Sequence, residues 1–258
     1  MKATLIQMDI RQADAATNRE TAERAMLDAP TSDLYVLPEM WTTGFVTRPQ
    51  GIAEADGLSL EWMTRMARRL DAAVCGSIAT EENGRYYNRL YFVTPDSTSP
   101  SFYDKRHLFT YSGEHLSYTA GDKRVIVHWR GVRFLLQVCY DLRFPCFARN
   151  DDDYDAIIYV ASWPESRIRV WHTLLCARAI ENQCYVLGVN RTGNDDLCTY
   201  NGGTEAYDAY GRCIARCHDN HSETATVNID MEALCAFRQK FPVLNDRDNI
   251  LLSKDKKD

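Results

Sequence analysis

Apolar residues along this chain follow two rhythms. Short runs dense in Val, Ile, Leu and aromatic residues recur at strand length. Between them lie stretches whose apolar residues return every three or four positions. The runs predict strands over Met1–Ile10, Asp33–Leu37, Ala72–Thr80, Arg85–Thr94, Ser101–Asp104, Val125–Trp129 and Val132–Val138. Five more are predicted over Ala156–Ala161, Cys184–Asn190, Gly203–Tyr207, Arg212–Arg216 and Ala225–Ile229. The helical spacing predicts helices over Asn18–Asp28, Leu58–Leu70, Arg167–Asn182 and Met231–Lys240, the last capped by Asp230. A short helix is expected from Pro145 to about Asn150. Asn83-Gly84 and Arg130-Gly131 read as hairpin turns. The stretch from Thr110 to Lys123 has no clear period, and a loop of that length inside a compact domain tends to carry function.

Strands that alternate with one-faced helices predict a layered α/β domain, helices outside and sheet inside. Hairpins join several neighbouring strands, so the sheets should be mixed. Roughly a dozen strands exceed what one flat open sheet holds, which predicts two packed sheets. No linker-like segment or shift in composition interrupts the chain. A single domain over residues 1–245 with a C-terminal tail at 246–258 is expected.

Composition narrows the function. The 258 residues are 45% hydrophobic and 26% charged, with a net charge of -6. That is no basic footprint for nucleic acid. No apolar run approaches a membrane span, and the N-terminus does not resemble a signal peptide. The nine cysteines are odd in number, irregularly spaced and partly inside apolar runs, the usage of a reducing compartment. A cytoplasmic location is therefore expected. Cys213, Cys217 and His218 form the one local metal-like cluster, but no C-x-x-C pair supports it; neither metal nor cofactor is expected.

Three polar residues stand at the ends of predicted buried strands. Glu39 follows Leu37-Pro38. Lys105 lies in Tyr-Asp-Lys-Arg-His-Leu-Phe. Cys139 opens Cys-Tyr-Asp-Leu-Arg-Phe-Pro. A cysteine at a strand-to-turn junction has its backbone fixed and N–H groups nearby, but reacts only as thiolate, so a base must take its proton. Taken singly, Cys139 reads as a small buried hydrophobe and Glu39 as a helix-start charge. No G-x-S-x-G elbow is present, and His107, His115, His128 and His172 have no obvious nucleophile partner.

In this order, roughly 65 and then 34 residues apart, the three motifs resemble the nitrilase (carbon–nitrogen hydrolase) superfamily, and the likeness covers the chain to about Asn245. The resemblance implies a four-layer α-β-β-α sandwich and pairing into a homodimer or larger homo-oligomer. It implies Cys139 as nucleophile, Glu39 as general base and Lys105 as oxyanion stabiliser. Glu114, in Gly113-Glu114-His115, matches a second glutamate beside the lysine. The Tyr140 N–H is a candidate second oxyanion donor. Pro-Glu-Met-Trp-Thr-Thr-Gly-Phe (38–45), Ala-Ser-Trp-Pro (161–164) and the run at 178–193 resemble the omega-amidase branch, which cleaves the terminal amide of 2-oxoglutaramate or 2-oxosuccinamate. Such a small-molecule substrate carries a carboxylate, so a second cation is needed, from Arg143 or Arg167. Arg143 reads equally as a brace for the turn, paired with Asp141 or another acid. Trp163, Trp41 and Phe45 are candidate pocket walls. Trp41 and Cys146 depart from the Phe and Glu that other members often carry. Other amidases, N-carbamoyl amino acid hydrolases and nitrile hydrolases use the same triad. A catalytically silent binding protein on this fold is the alternative from a different class.

Overall fold

The computed structural model describes residues 1–248; most of the tail expected from residue 246 lies outside the described residues. The strands are β1 (Lys2–Gln7), β2 (Leu34–Val36), β3 (Ala73–Glu82), β4 (Arg85–Val93), β5 (Ser101–Asp104), β6 (Ile126–Trp129) and β7 (Val132–Val138). They continue with β8 (Ala156–Val160), β9 (Tyr185–Val189), β10 (Thr192–Asn194), β11 (Thr199–Asn201), β12 (Glu205–Tyr207), β13 (Cys213–Arg216) and β14 (Glu223–Asn228). The helices are α1 (Ala15–Asp28), α2 (Leu58–Leu70), α3 (Pro145–Ala148), α4 (Ile168–Asn182) and α5 (Met231–Lys240).

Two six-stranded sheets form, ordered β14-β1-β2-β3-β4-β5 and β13-β12-β9-β8-β7-β6. Each is mixed. A central parallel trio, β1-β2-β3 in one and β7-β8-β9 in the other, is flanked by antiparallel strands. Side chains alternate across each strand. On β7 and β8, Phe134, Leu136, Val138, Ile158 and Val160 meet Leu5, Val36, Leu90 and Phe92 of the other sheet. Their neighbours Leu135, Ile157 and Tyr159 face outward onto Trp171, Leu175 and Ala179 of α4. The outer face of the first sheet packs Ile6, Tyr35 and Val74 against Met26 of α1 and Trp62, Met63 and Met66 of α2. The result is the four-layer α-β-β-α sandwich. Each fully buried Leu, Ile or Phe contributes about 1.5–3 kcal/mol, and both faces of both sheets are covered.

Several boundaries differ from the sequence pattern. α1 begins three residues earlier than expected, because the Asp14 carboxylate accepts the Thr17 N–H at 3.1 Å and caps a polar first turn. The expected strand at Gly203 starts at Glu205, since Gly202 and Gly203 both have positive φ. The β10–β11 hairpin was not anticipated. The loop after Thr110 holds two 3-10 turns, Thr110–Ser112 and Glu114–Leu116. All nine cysteines are free. Among the described residues no helix is long and apolar enough to cross a membrane.

Candidate active site

β7 ends at Val138, and Cys139 opens a 3-10 turn through Arg143. The Cys139 φ is 46°. A non-glycine residue in this left-handed region costs on the order of 1–2 kcal/mol and persists where its surroundings fix it. Here a fully buried carboxylate does so. Asp141 Oδ2 accepts the Val138 N–H at 2.9 Å and the Tyr103 hydroxyl at 2.8 Å. Its Oδ1 accepts the His107 N–H at 3.0 Å and lies 2.7 Å from His107 Nδ1. From α4, Arg178 Nη2 donates to the Leu142 carbonyl at 2.6 Å. Arg143 is therefore not the brace of this turn. Among the described residues no carboxylate pairs with it, and its guanidinium lies 5.2 Å from the Trp163 ring centre.

Glu39 and Lys105 reach the same point from the first sheet. Glu39 follows β2, where its N–H points to the Ala161 carbonyl beyond β8 (3.4 Å), so it does not open a helix. Lys105 follows β5. Its Nζ donates to Glu39 Oε1 at 2.8 Å and to both Glu114 oxygens at 3.0 and 3.2 Å. The three side chains have no solvent exposure. Every carboxylate oxygen has further partners. Asn88 Nδ2 donates to Glu39 Oε1 at 2.7 Å and to Glu114 Oε1 at 3.2 Å. Ser162 N–H donates to Glu39 Oε2 at 2.9 Å, and Phe109 N–H to Glu114 Oε2 at 2.6 Å. Asn88 is held in turn by the Ser77 hydroxyl at 2.9 Å.

The electrostatics follow from burial and charge. Burial alone would lower Lys105, but Glu114 and Glu39 outweigh it and hold the ammonium well above the usual lysine value. Burial raises Glu114; Lys105 opposes this and Glu39 adds to it, leaving it above the ordinary carboxylate value. Burial, then the Glu39 charge, pushes the Cys139 thiol well up, while Lys105 and the Ser162 N–H pull it down. The resting sulfur is thus a thiol, with the Glu39 carboxyl and the Lys105 ammonium beside it.

Lys105 and Cys139 open on a cavity of about 530 Å³. Phe45, Tyr140, Arg143, Trp163 and Arg167 line it too, and Glu39 and Glu114 meet Lys105 behind its wall. Lys105 Nζ is 5.5 Å from the Phe45 ring centre, and Arg167 lies 5.4 Å from that of Phe109. Trp41 is the exception among the candidate walls. It is fully buried against Trp62 at 4.9 Å, in the core beneath α2. Sequence reasoning missed Asn88, Ser77, the Ser162 N–H and the Tyr103–Asp141–His107 cluster. It also missed the β10–β11 hairpin, whose tip brings Asp195, Leu197 and Cys198 to the cavity. Asn88 had a signal: a polar residue inside the apolar run of β4.

An α-β-β-α sandwich with its polar cluster at the joint edge of two sheets is the architecture of the nitrilase superfamily. Residues 2–239 match the carbon-nitrogen hydrolase family, and the chain belongs to that family of enzymes. It is 42% identical to Omega-amidase YafV of Yersinia enterocolitica, with 98% of each chain covered. It is 32% identical to a 2-oxoglutaramate amidase of Bacillus subtilis, over 95% of this chain and 98% of that one. A CN-hydrolase superfamily protein from Xanthomonas campestris, solved with an arsenic adduct in its active site, superposes with a TM-score of 0.94. That protein is 39% identical, with 98% of this chain and 99% of that one covered.

Proposed function

We propose that this enzyme hydrolyses the terminal amide of a small 2-oxo acid, 2-oxoglutaramate or 2-oxosuccinamate, to the 2-oxo diacid and ammonia through a Cys139 thioester. Glu39 takes the thiol proton as sulfur attacks the amide carbon. Lys105 and the Tyr140 N–H receive the oxyanion, whose charge the fixed donors stabilise in the transition state. Glu39 then gives its proton to the leaving nitrogen, and the C–N bond breaks. Water enters, Glu39 removes its proton, and the second tetrahedral species collapses to acid and thiol. Glu114 keeps Lys105 in place. Arg143 or Arg167 binds the substrate carboxylate, and Phe45 and Trp163 wall its carbon chain.

The observation that carries this reading is one cavity lined by Cys139, by Lys105 with its buried partners Glu39 and Glu114 behind it, and by two arginines that no carboxylate neutralises among the described residues. The names of the two amidase relatives support the substrate class. The enzyme acts in the cytoplasm as a homodimer or larger homo-oligomer, which light scattering on the purified protein tests. The substrate test is ammonia release from 2-oxoglutaramate, 2-oxosuccinamate, glutamine, an N-carbamoyl amino acid and an aliphatic nitrile, with Cys139→Ala as blank. Fast, Cys139-dependent release from the oxo-amides is expected. Release from the carbamoyl compound or the nitrile alone rejects the substrate class and keeps the mechanism.

A further inference from the structure

Lys105 lies between Tyr103 and His107 on one short segment, and both of those residues bond to Asp141, two positions beyond Cys139. The two segments come from different sheets, since β5 belongs to the first and β7 to the second. The carboxylate divides its contacts. Oδ2 holds Val138 and Tyr103, and Oδ1 holds the backbone and ring of His107. The His107 ring stacks on Phe144 with centres 4.0 Å apart and 8° between planes, which fixes the clamp from the far side of the turn.

We propose that Asp141 is a positioning residue that sets the placement of the Lys105 ammonium relative to the Cys139 sulfur by clamping the lysine segment to the nucleophile turn. The inference rests on the assignment of Lys105 and Cys139 to catalysis. Asp141 touches neither substrate nor sulfur in this role. It acts through the 103–107 segment and the strained backbone at 139. Displacing a catalytic group by about 1 Å can cost about a hundredfold in rate, and a loss confined to the transition state lowers kcat without changing KM.

An amide at position 141 can accept on one side only, so Asp141→Asn breaks one half of the clamp. Its kcat on the oxo-amide should fall about a hundredfold, with KM within about threefold of wild type. Tyr103→Phe, which removes one bond and keeps the ring, should cost about tenfold alone and nothing further in an Asp141→Ala background, because both act through one carboxylate. Equal losses from Tyr103→Phe in the two backgrounds overturn the proposal, as does an unchanged kcat in folded Asp141→Asn. Where Asp141→Asn does not fold, Tyr103→Phe and His107→Phe carry the test. A combined loss that differs from the product of the single losses supports the clamp, and independent losses overturn it. Alkylation of Cys139 by iodoacetamide gives a readout independent of the amide substrate. A sulfur displaced from Lys105 should need higher pH to react, and an unmoved profile in Asp141→Asn or Tyr103→Phe rejects the proposal even if the oxo-amides prove to be the wrong substrates.

Discussion

Replacing Glu39 with glutamine separates the two effects this carboxylate has on Cys139. In the proposed role of base it would remove the thiol proton. As a charge it opposes the thiolate, and after burial it is the largest cause of the raised thiol value. Glu39→Gln removes both effects and leaves Lys105 in place. At an effective dielectric near 20, removing a unit charge from about 4 Å away is worth roughly 4 kcal/mol. If rearrangement of Asn88 and water cancels half of that, the remainder still moves thiolate formation by more than about one pH unit. The variant should therefore hold a more acidic cysteine and yet turn over about 100- to 10,000-fold more slowly, because the general base is gone. The Ser162 N–H, which now reaches Glu39 Oε2 at 2.9 Å, would face an amide NH2 group. One unsatisfied donor costs about 1–3 kcal/mol of stability. The assay is iodoacetamide alkylation against pH, followed by intact mass, with Cys139→Ala to subtract the other thiols, run beside ammonia release. An alkylation midpoint at or above that of wild type refutes the electrostatic argument. Turnover within tenfold of wild type refutes Glu39 as base.

Other variants probe the remaining parts of the site. Glu114 has a raised folded-state value, so its stabilising contribution is complete below the ordinary glutamate value and is lost as pH rises through the raised one. Glu114→Gln, which cannot titrate, should gain stability relative to wild type as pH rises above the ordinary glutamate value; denaturant titrations showing the opposite trend would reject this. Whichever of Arg143→Leu and Arg167→Leu removes the carboxylate contact should lower kcat/KM for 2-oxoglutaramate by about 10- to 100-fold, the worth of a charge-assisted hydrogen bond. An amide without a carboxylate should be spared, and equal losses on both substrates would argue for a packing role. Asn88→Ala strips a donor from Glu39 and Glu114 and removes the acceptor of the Ser77 hydroxyl. A loss of about 1–3 kcal/mol in unfolding free energy is expected, with a fall in kcat; unchanged values in both assays would show that the bridge is dispensable.

The sandwich was legible because its strands are apolar enough to announce themselves and its helices one-faced enough to show a period. β7 illustrates this: Val132 to Val138 reads as a strand, and the structure ends it at the residue before Cys139. What stayed hidden lacks a local signal. β10 and β11 are three residues each, and the tip between them, Asp195-Asp196-Leu197-Cys198, has no period, so no alternation develops. Glu114 sits in an aperiodic loop and was found through the family motif, not through its own surroundings. Asp141 was visible in the sequence as a charge near Arg143, and the nearer partner along the chain was the natural guess. The structure assigns it instead to Tyr103 and His107, more than thirty residues upstream. Pairings across two sheets leave no trace in the spacing of one.

In the proposed reaction the placement of the cluster lets a thiol be activated without a histidine. The Glu39 and Glu114 carboxyl groups and the Lys105 ammonium are all fully buried. Burying a charge is costly, and the cost is met locally by donors from Asn88, Ser162 and Phe109. In the proposed reaction the proton moves from sulfur to Glu39 and later to the leaving nitrogen. At no step does the buried site gain or lose charge; the negative charge migrates from carboxylate to sulfur to oxyanion, within reach of the same ammonium. A neutral histidine base would create an imidazolium–thiolate pair, two new buried charges, whereas a carboxylate passes one existing charge to sulfur. Charge conservation at one buried point, supplied by the ends of two sheets, is thus the physical requirement that the Glu39, Lys105, Glu114 and Cys139 spacing meets.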